Sequence, residues 1–330
     1  MTEFIAEVGG NHQGDASKLL SLTESAISAG VTIIKFQIYD NKSMVSKRFD
    51  PERYNHFKSF TLADEAYNEA YELCVNNNVE FMASIWSQDL LVKFDPFVNR
   101  YKIGSGDLTN YPLIEKMAKR GKPIIISTGL SEIDEIDKVV EFVRSKNKVY
   151  KKTDFLTIMQ CTSVYPCPLE EVNLNVTQSY KERYNSLVGY SHHTVQYSPI
   201  YTAISMGVDL IEFHYSDTKH DNSFRDHLIS VDRNEVSKII AFSDESRIIK
   251  GNDNKSVTKN EILNSHVKSF RRSLYYKTSL KKGHLLTKED FHSLRPCVGI
   301  SPSKYEEVIG MKIKKDVQKD DVLLEEHLTK

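Results

Sequence analysis

The sequence predicts an α/β fold: a (β/α)8 TIM barrel followed by a small, mostly β C-terminal domain. Three observations predict it. Across roughly the first 250 residues, the usual extent of such a barrel, short apolar runs alternate with amphipathic segments of helical length. Each apolar run ends in or next to a polar or reactive side chain, and barrel enzymes gather their chemistry at that end of their strands. Beyond residue 270 the chain changes to short strand-like runs and tight turns. An open doubly wound sheet also alternates strands with helices. Eight evenly spaced cycles favour the closed form.

Residues 4–8 form the first strand, and GGNHQGD is the loop after it. A helix follows, with Leu19, Leu22, Ala26 and Ile27 on one face and Gly30 as its stop. Residues 31–37 are the second strand, with Lys35 inside an apolar run. Residues 41–60 are polar and aromatic with weak periodicity and read as a long loop. A helix spans about 62–75, and the third strand runs over 79–83 to Ser84. Residues 100–103 form a strand with GSGDLTN as its loop. The next helix starts near Asn110, with Pro112 in its first turn, and stops at Gly121. The strand over 123–126 ends in Ser127-Thr128-Gly129. Its helix takes Ser131 as cap, with Asp134 three residues on, and buries Ile133, Ile136, Val140 and Val143. Residues 155–159 are a strand, followed by QCTSVYP. Two further strands are tipped by His193 and His214, with a helix over 197–206 between them. Parallel strands need such a crossover. A last helix, capped by Asp232 with Glu235 three residues on, runs to about Arg247.

The expected domains are a barrel over 1–250, a polar linker over 251–269 with one helical turn, and the small domain over 270–330. In that domain SLKKGHLLTKEDF is echoed by DVQKDDVLLEEHL, in pattern more than identity and short of a clean duplication.

Hydrophobic content of 40% and charged content of 27% are ordinary for a globular chain. A net charge of −1 offers no surface for nucleic acid. No apolar run reaches membrane-spanning length. The N-terminus, MTEFIAEVGG, lacks the basic start and long apolar core of a signal peptide. The basic residues Arg144, Lys146, Lys148, Lys151 and Lys152 read as a solvated helix end and loop. Cys74, Cys161, Cys167 and Cys297 make no CxxC pair and read as reduced thiols, so the expected location is cytoplasmic.

The strand ends carry, in order, Glu7, Lys35, Ser84, Lys102, Ser127, Ser163 just beyond its strand, His193 and His214. Histidines at the same ends of neighbouring parallel strands can share a metal ion. The plainer alternative is two unrelated polar strand ends. A lysine buried in an apolar run is costly unless it meets an anion. Ser84, Ser105, Ser127 and Ser163 add hydroxyl donors, and Gly104-Ser105-Gly106 can present backbone N–H groups. Together these suit a phosphate; the alternative is a salt bridge to a barrel carboxylate such as Glu7. The GSG loop lacks the third glycine of a dinucleotide fingerprint, and neither GxSxG nor HExxH occurs. The set suggests a metal-activated carbonyl and a phosphate-bearing second substrate. A lysine Schiff-base aldolase is the competing chemistry.

Nearly the whole chain resembles the N-acetylneuraminate (sialic acid) synthase family. The matching stretches are IAEVGGNHQGD, IIKFQ, YKIGSGDLTNYPLIEKMAKRGKPIIISTGL, QCTSVYPCPLEEVNL, GYSHHT and EFHYS. The C-terminal stretch from RRSLYYKTSLKKGHLLTKEDF onward resembles that family's antifreeze-like (SAF) domain. The resemblance implies condensation of phosphoenolpyruvate with an N-acetylmannosamine-type sugar and water, giving a nine-carbon 2-keto acid and phosphate. It implies that His193 and His214 hold a divalent metal, usually manganese, with magnesium or cobalt as other options. It places Lys35, Lys102, Ser84, Ser105, Ser127, Ser163 and Ser191 around phosphoenolpyruvate, with Glu7 handling protons at the pyruvyl carbon. Gln37, Asp107 and Tyr165 would face the sugar. Arg295 would come from the small domain of the partner in a domain-swapped homodimer. A barrel that has lost turnover and only binds a sugar or phosphate is the other reading.

The sequence departs from that family's pattern at several places. His192 stands where Asp is usual before the metal histidine, Gln160 where a histidine is common, and Phe213 where a basic residue is usual. Ser84-Ile85-Trp86 replaces a typical Thr-Pro-Phe, the loop after His214 lacks a Gly-Pro before Asp226, and the segment between Lys35 and Leu62 is short. These departures bear on the surroundings of the metal and on the choice of sugar.

Overall fold

The computed structural model describes residues 2–217 and 224–329. Eight parallel strands close into a barrel in chain order. They are β1 (Glu3–Glu7), β2 (Ile33–Ile38), β3 (Glu80–Ile85), β4 (Tyr101–Ile103), β5 (Ile124–Ser127), β6 (Leu156–Cys161), β7 (Leu187–His192) and β8 (Leu210–His214). β1 pairs with both β2 and β8, which closes the ring. The outer layer begins with α1 (Ala16–Ser28), α2 (Asn41–Met44), α3 (Pro51–Phe60) and α4 (Asp64–Asn76). It continues with α5 (Gln88–Phe94), α6 (Tyr111–Arg120), α7 (Ile133–Lys146) and α8 (Val176–Tyr184). α9 (Ser198–Met206), α10 (Arg225–Ile229) and α11 (Arg233–Lys250) complete it. The chain divides into two compact units, Met1–Gly251 and Asn252–Lys330. Among the described residues, no helix is long and apolar enough to cross a membrane, and all four cysteines are free.

Period-two alternation explains how the barrel positions its chemistry. Ile5, Ile33, Met82, Ile125, Met159 and Leu210 pack together as a separate apolar layer inside the ring. Two residues further along each strand, the inner face must carry the next side chain of the same parity. Those side chains are Glu7, Lys35, Ser84, Ser127, Cys161 and Glu212. The interior therefore passes from an apolar floor to a polar and charged layer in one step. Outward-facing residues such as Phe4, Ile34, Phe36, Ile126, Ile158 and Phe213 build the larger core between barrel and helices.

Several helix starts follow the local signals. Asp15 caps α1, accepting from the N–H groups of Ser17 and Lys18. Asp232 and Glu235 form a reciprocal capping box at α11. Three expectations need correction. The start of α7 falls one residue later than Ser131: Leu130 takes φ +63°, and Ser131 donates to the Gly129 carbonyl. Glu132 is the N-cap, its N–H bonded to Glu135 Oε2 at 3.0 Å. Ile133 is accordingly 41% exposed, while Ile136, Val139, Val140 and Val143 are buried. Residues 41–60 are not a long loop but contain α2 and α3. Asp40 and Asp50 cap them, and Pro51 opens α3. α3 buries none of its residues fully, so no apolar period marks it. Its C-terminal end lies against the loop after β1; a Cβ at Gly14 would come within 2.1 Å of the Ser59 carbonyl oxygen.

The second unit has its own core of Leu274, Tyr276, Leu286, Ile300, Val308, Ile313, Val317, Leu323 and Leu328. In place of one helical turn, the stretch before it holds α12 (Lys259–Leu263) and α13 (His266–Phe270). β9 (Ser273–Tyr276) pairs with β10 (Phe291–Leu294), and β11 (Lys312–Ile313) with β12 (Leu328–Thr329). α14 (Tyr305–Val308) lies between the two pairs in sequence. The echo in the sequence is a repeat in structure. One constant shift carries Leu280 onto Val317, the 3-10 turn Lys288–Asp290 onto Glu325–His327, and β10 onto β12. Leu280 and Val317 bond each other through both backbone pairs, each at 3.0 Å.

The apolar floor leaves no room at Gly189, where a Cβ would lie 2.8 Å from Met159 Cγ and 2.9 Å from the Leu210 carbonyl oxygen. Overpacking a close-packed core costs about 1–3 kcal/mol. Gly189→Ala should lower the unfolding free energy of the barrel by that amount, seen as a lower urea midpoint by far-UV circular dichroism. An unchanged midpoint would mean that the floor is looser than this packing.

Candidate active site

The C-terminal ends of the strands open into one cavity of ≈ 1100 Å³. Glu7, Lys35, Gln37, Ser84, Lys102, Ser105, Asp107, Ser127, Ser163, Tyr165, Ser191, His193 and His214 all line it. Arg295 lies in the second unit, in the loop after β10, with its guanidinium over the Phe270 ring at 5.6 Å. The cavity also takes in residues that strand ends alone did not single out: Glu212, Asp226, Arg225, Cys161 and a set of aromatic rings. Residues 218–223 of the loop after β8 lie outside the described residues.

Four buried charges form the lower part of the cavity. Lys102 Nζ donates to both oxygens of Glu212 at 2.8 Å. Lys35 forms an ion pair with Glu7 and lies 3.7 Å from Glu212 and 3.5 Å from Ser84 Oγ. Ser191 donates to Glu212 at 3.0 Å. In the absence of a ligand, then, barrel carboxylates are the anions that the buried lysines meet. Burial pushes the Lys35 ammonium below the usual lysine range, with Glu212 opposing and Lys102 adding to the shift. Burial alone would raise Glu212, but Lys102 and then Lys35 hold it well below the usual carboxylate range. Two groups keep bonding capacity in hand. Glu7 Oε1 and Ser127 Oγ are buried with no hydrogen-bond partner among the described residues. A buried polar atom without a partner points to a ligand that supplies one.

Three loops converge beside these charges. The Ser105 hydroxyl accepts from the Gly129 N–H at 3.0 Å. Gly129 sits between two serines: a Cβ there would come 2.3 Å from Ser163 Oγ and 2.8 Å from Ser105 Oγ. That close approach brings the hydroxyls of the β4 and β6 loops to one point.

The two histidines stand above this layer. β7 and β8 are parallel neighbours, and the His193 and His214 rings lie 5.5 Å apart between centroids. His193 Nδ1 donates to the Thr162 carbonyl oxygen at 2.8 Å, which makes Nδ1 the protonated nitrogen and leaves the Nε2 lone pair available to a metal. His214 Nδ1 is buried, has no hydrogen-bond partner among the described residues and lies 3.7 Å from Asp226 Oδ2. Burial, and then His193, keep His214 well below its ordinary range and so neutral, the form that binds metal. These features fit a divalent cation held by the imidazole pair. Among the described residues no group of three or more His, Cys, Asp or Glu side chains is placed to hold one. Tyr165 lies 4.2 Å from the His193 ring, with Arg225 over its face at 4.9 Å.

Three of the residues that depart from the expected pattern point away from this cavity. His192 bonds Tyr190 within the outer layer, at 3.3 Å. Phe213 is part of the core between barrel and helices, and Gln160 donates to the Val172 carbonyl at 3.0 Å. His192 is thus not among the residues that line the cavity. Trp86, by contrast, enters the cavity wall.

The NeuB family model matches residues 22–255, and the SAF domain model residues 271–329. An N,N'-diacetyllegionaminic acid synthase from Legionella pneumophila is 31% identical, over 99% of this chain and 95% of its own. The human N-acetylneuraminate-9-phosphate synthase is 26% identical over 98% of this chain and 91% of its own. Among solved structures, the N-acetylneuraminic acid synthetase of Leptospira borgpetersenii, in complex with citrate, superposes with a TM-score of 0.71. It is 26% identical over 80% of this chain and 90% of that one.

A pH dependence follows from His12, in the loop that carries the cavity rim. It is buried, and its Nδ1 accepts from the Gly14 N–H at 3.0 Å, which fixes it neutral. Burial first, and Lys18 second, hold it down to about 4. Below pH 6.5 the unfolded chain takes a proton that the folded chain refuses, so stability is lost as pH falls from 6.5 towards 4. The loss from this group is of order 3 kcal/mol at about 1.4 kcal/mol per pH unit. His214 pulls in the same direction. In His12→Asn, Oδ1 takes over the acceptor and the group no longer titrates. Denaturation midpoints at pH 7 and pH 4.5 should differ less for this variant than for the parent. Equal differences would rule His12 out.

Proposed function

The chain belongs to the NeuB family and ends in a SAF domain, and from that membership we propose that it condenses phosphoenolpyruvate with an N-acylmannosamine-type sugar and water. The products are a nine-carbon 2-keto acid and phosphate. The observation that carries the reading is the pair of buried lysines sharing one cavity with Glu7, Glu212 and, above them, the imidazole pair.

Each group has a task in that reaction. Phosphoenolpyruvate brings a phosphate and a carboxylate into a site whose cations are already placed. Lys35 and Lys102 exchange their barrel carboxylates for these anions, and Ser105, Ser127 and Ser163 donate to the phosphate oxygens. Preorganised donors of this kind are most effective where water is excluded. The enol carbon forms a bond to the sugar's aldehyde carbon, and the aldehyde oxygen becomes a hydroxyl as it takes up a proton. Water adds at the pyruvyl C2 and yields its proton to Glu7, whose free Oε1 is the available base. The tetrahedral carbon then expels phosphate and becomes the ketone. His193 and His214 would hold a divalent metal, manganese first among the candidates, and the metal would polarise the aldehyde oxygen. Gln37, Asp107 and Tyr165 would bind the sugar, Asp107 being steadied by Asn110 at 3.1 Å.

The reading extends to the second unit. Arg295 would complete the sugar site of a neighbouring subunit in a domain-swapped homodimer. A guanidinium offers several donors in a fixed fork, which suits sugar oxygens or an acyl carbonyl.

Phosphate release from phosphoenolpyruvate should require both an N-acylmannosamine-type sugar and a divalent metal, and chelation should stop it. Lys102→Met should lower kcat/KM for phosphoenolpyruvate on the order of 30-fold or more, from the ~2–5 kcal/mol lost when a buried charge pair is truncated. A borohydride-trapped adduct on Lys35 or Lys102 would replace the condensation with Schiff-base chemistry.

Mixing Arg295→Ala with Lys102→Met, each expected to be strongly impaired alone, tests the shared site. Random exchange in a two-fold dimer should restore about a quarter of full activity. No recovery, with subunit exchange demonstrated, would place Arg295 outside the partner's site.

A further inference from the structure

Above its charged layer the cavity changes character, and one wall is aromatic. Tyr39 follows β2, Trp86 follows β3, Phe57 and Phe60 come from α3, and Phe224 precedes α10. Tyr39 meets the Phe57 ring edge-on at 5.2 Å and the Trp86 ring at 5.2 Å. Phe60 and Phe224 lie 5.1 Å apart. α3 buries none of its side chains fully, and Phe57 and Phe60 line the cavity half-buried. Apolar area is thus left for a ligand to cover.

The wall is continuous with the histidine pair. Phe224 stands two residues before Asp226, whose Oδ2 is 3.7 Å from His214. A sugar whose aldehyde lies at the imidazoles would share the cavity with these rings.

Among the described residues, the cationic side chains on this side, Arg53, His56 and Arg225, are all exposed. Arg225 is engaged with Asp226 at 3.2 Å and with the Tyr165 face, and Arg53 lies over the Phe57 ring at 5.7 Å. The Asp226 carboxylate is itself buried in the wall. A phosphoryl group here would lose its hydration against π faces and a carboxylate.

We propose that Tyr39, Phe57 and Trp86 are specificity-determining residues that select an acceptor sugar with an uncharged, apolar far end. Such an end carries a second N-acyl group or a methyl group in place of a phosphate or hydroxymethyl. The inference rests on the condensation proposed above and names the acceptor class for the same site. One methyl group in an apolar pocket discriminates by about 10–200-fold.

Trp86 is the only tryptophan of the chain, so its fluorescence reports occupancy of the wall without turnover. The experiment titrates the metal-loaded full-length protein, free of phosphoenolpyruvate, with three probes. They are N-acetylmannosamine, its 6-phosphate, and a 2,4-diacetamido-2,4,6-trideoxymannose. The third should change the fluorescence with a Kd about 10-fold or more below the other two. Its kcat/KM, measured by phosphate release, should lead by a similar factor. Phe57→Ala should reduce that selectivity ratio about 10-fold, and Phe57→Leu should restore part of it. If the alanine variant does not fold, the wild-type binding series still decides the matter. Equal affinities, tighter binding of the 6-phosphate, or silence of Trp86 toward all three would overturn the proposal. Phosphate release that prefers the 6-phosphate would leave the condensation standing and remove the wall's role. Selective binding without phosphate release from any sugar would do the reverse.

Discussion

Two lysines and two glutamates share the dry end of the barrel, and the rest of the site is arranged around keeping them paired. Removing an ion from water costs several kcal/mol even after relaxation, and only close pairing with further hydrogen bonds offsets it. Lys102 meets both oxygens of Glu212, Lys35 meets Glu7, and Ser191 adds a donor. The cluster is neutral in sum, so it is tolerable in the empty protein. It is also incompletely bonded, with Glu7 Oε1 lacking a donor. In the proposed condensation, a trianion arriving at this layer would take up two cations whose positions are already fixed and would release a carboxylate to act as a base. On that reading, the contacts that make the resting fold acceptable would also prepare it for a phosphorylated ligand.

The barrel's alternation decides which sequence changes matter. His192 and Phe213 have the parity of the outer face, so their substitution alters packing against helices. Gln160 is held by the Val172 carbonyl and does not enter the cavity. Ser191, His193, Glu212 and His214 have the inner parity and keep the charged layer whole. Ser84 and Trp86 stand at the end of β3 and just beyond it, where the cavity gives way to its aromatic side. On the proposed reading, chemistry at the reacting centre and choice of partner molecule would be carried by different heights of the same strands.

How much of this was legible in the sequence follows from what each residue needs in order to be noticed. A lysine inside an apolar run, as at Lys35, is conspicuous because its burial is expensive. Histidines one strand–helix–strand cycle apart are conspicuous because the crossover fixes their neighbourhood. Glu212 was quieter: within DLIEFH it has the inner parity, but its meaning depends on Lys102, which is distant in the chain and adjacent in space. α3 left no periodic trace, because it buries none of its residues fully, although Asp50 and Pro51 supplied a start signal. α5 is short and likewise escaped notice. The aromatic wall draws on two strand ends, one helix and the residue before α10, and no local pattern joins Tyr39 to Trp86 or Phe60 to Phe224. Parity along a strand can be read from one sequence; contacts between loops cannot.

The apolar floor has a consequence for time as well as for shape. Ile5, Met82 and Met159 are completely shielded from solvent, so among the described residues the barrel is closed at that end and guests reach the cavity from the other. A molecule resting on the lysines lies beneath one resting against the aromatic rings. In a vessel with a single opening, depth becomes order of addition: the deeper guest enters first and, once covered, leaves last. In the proposed condensation, phosphate split off at the lysines would then wait behind the nine-carbon product.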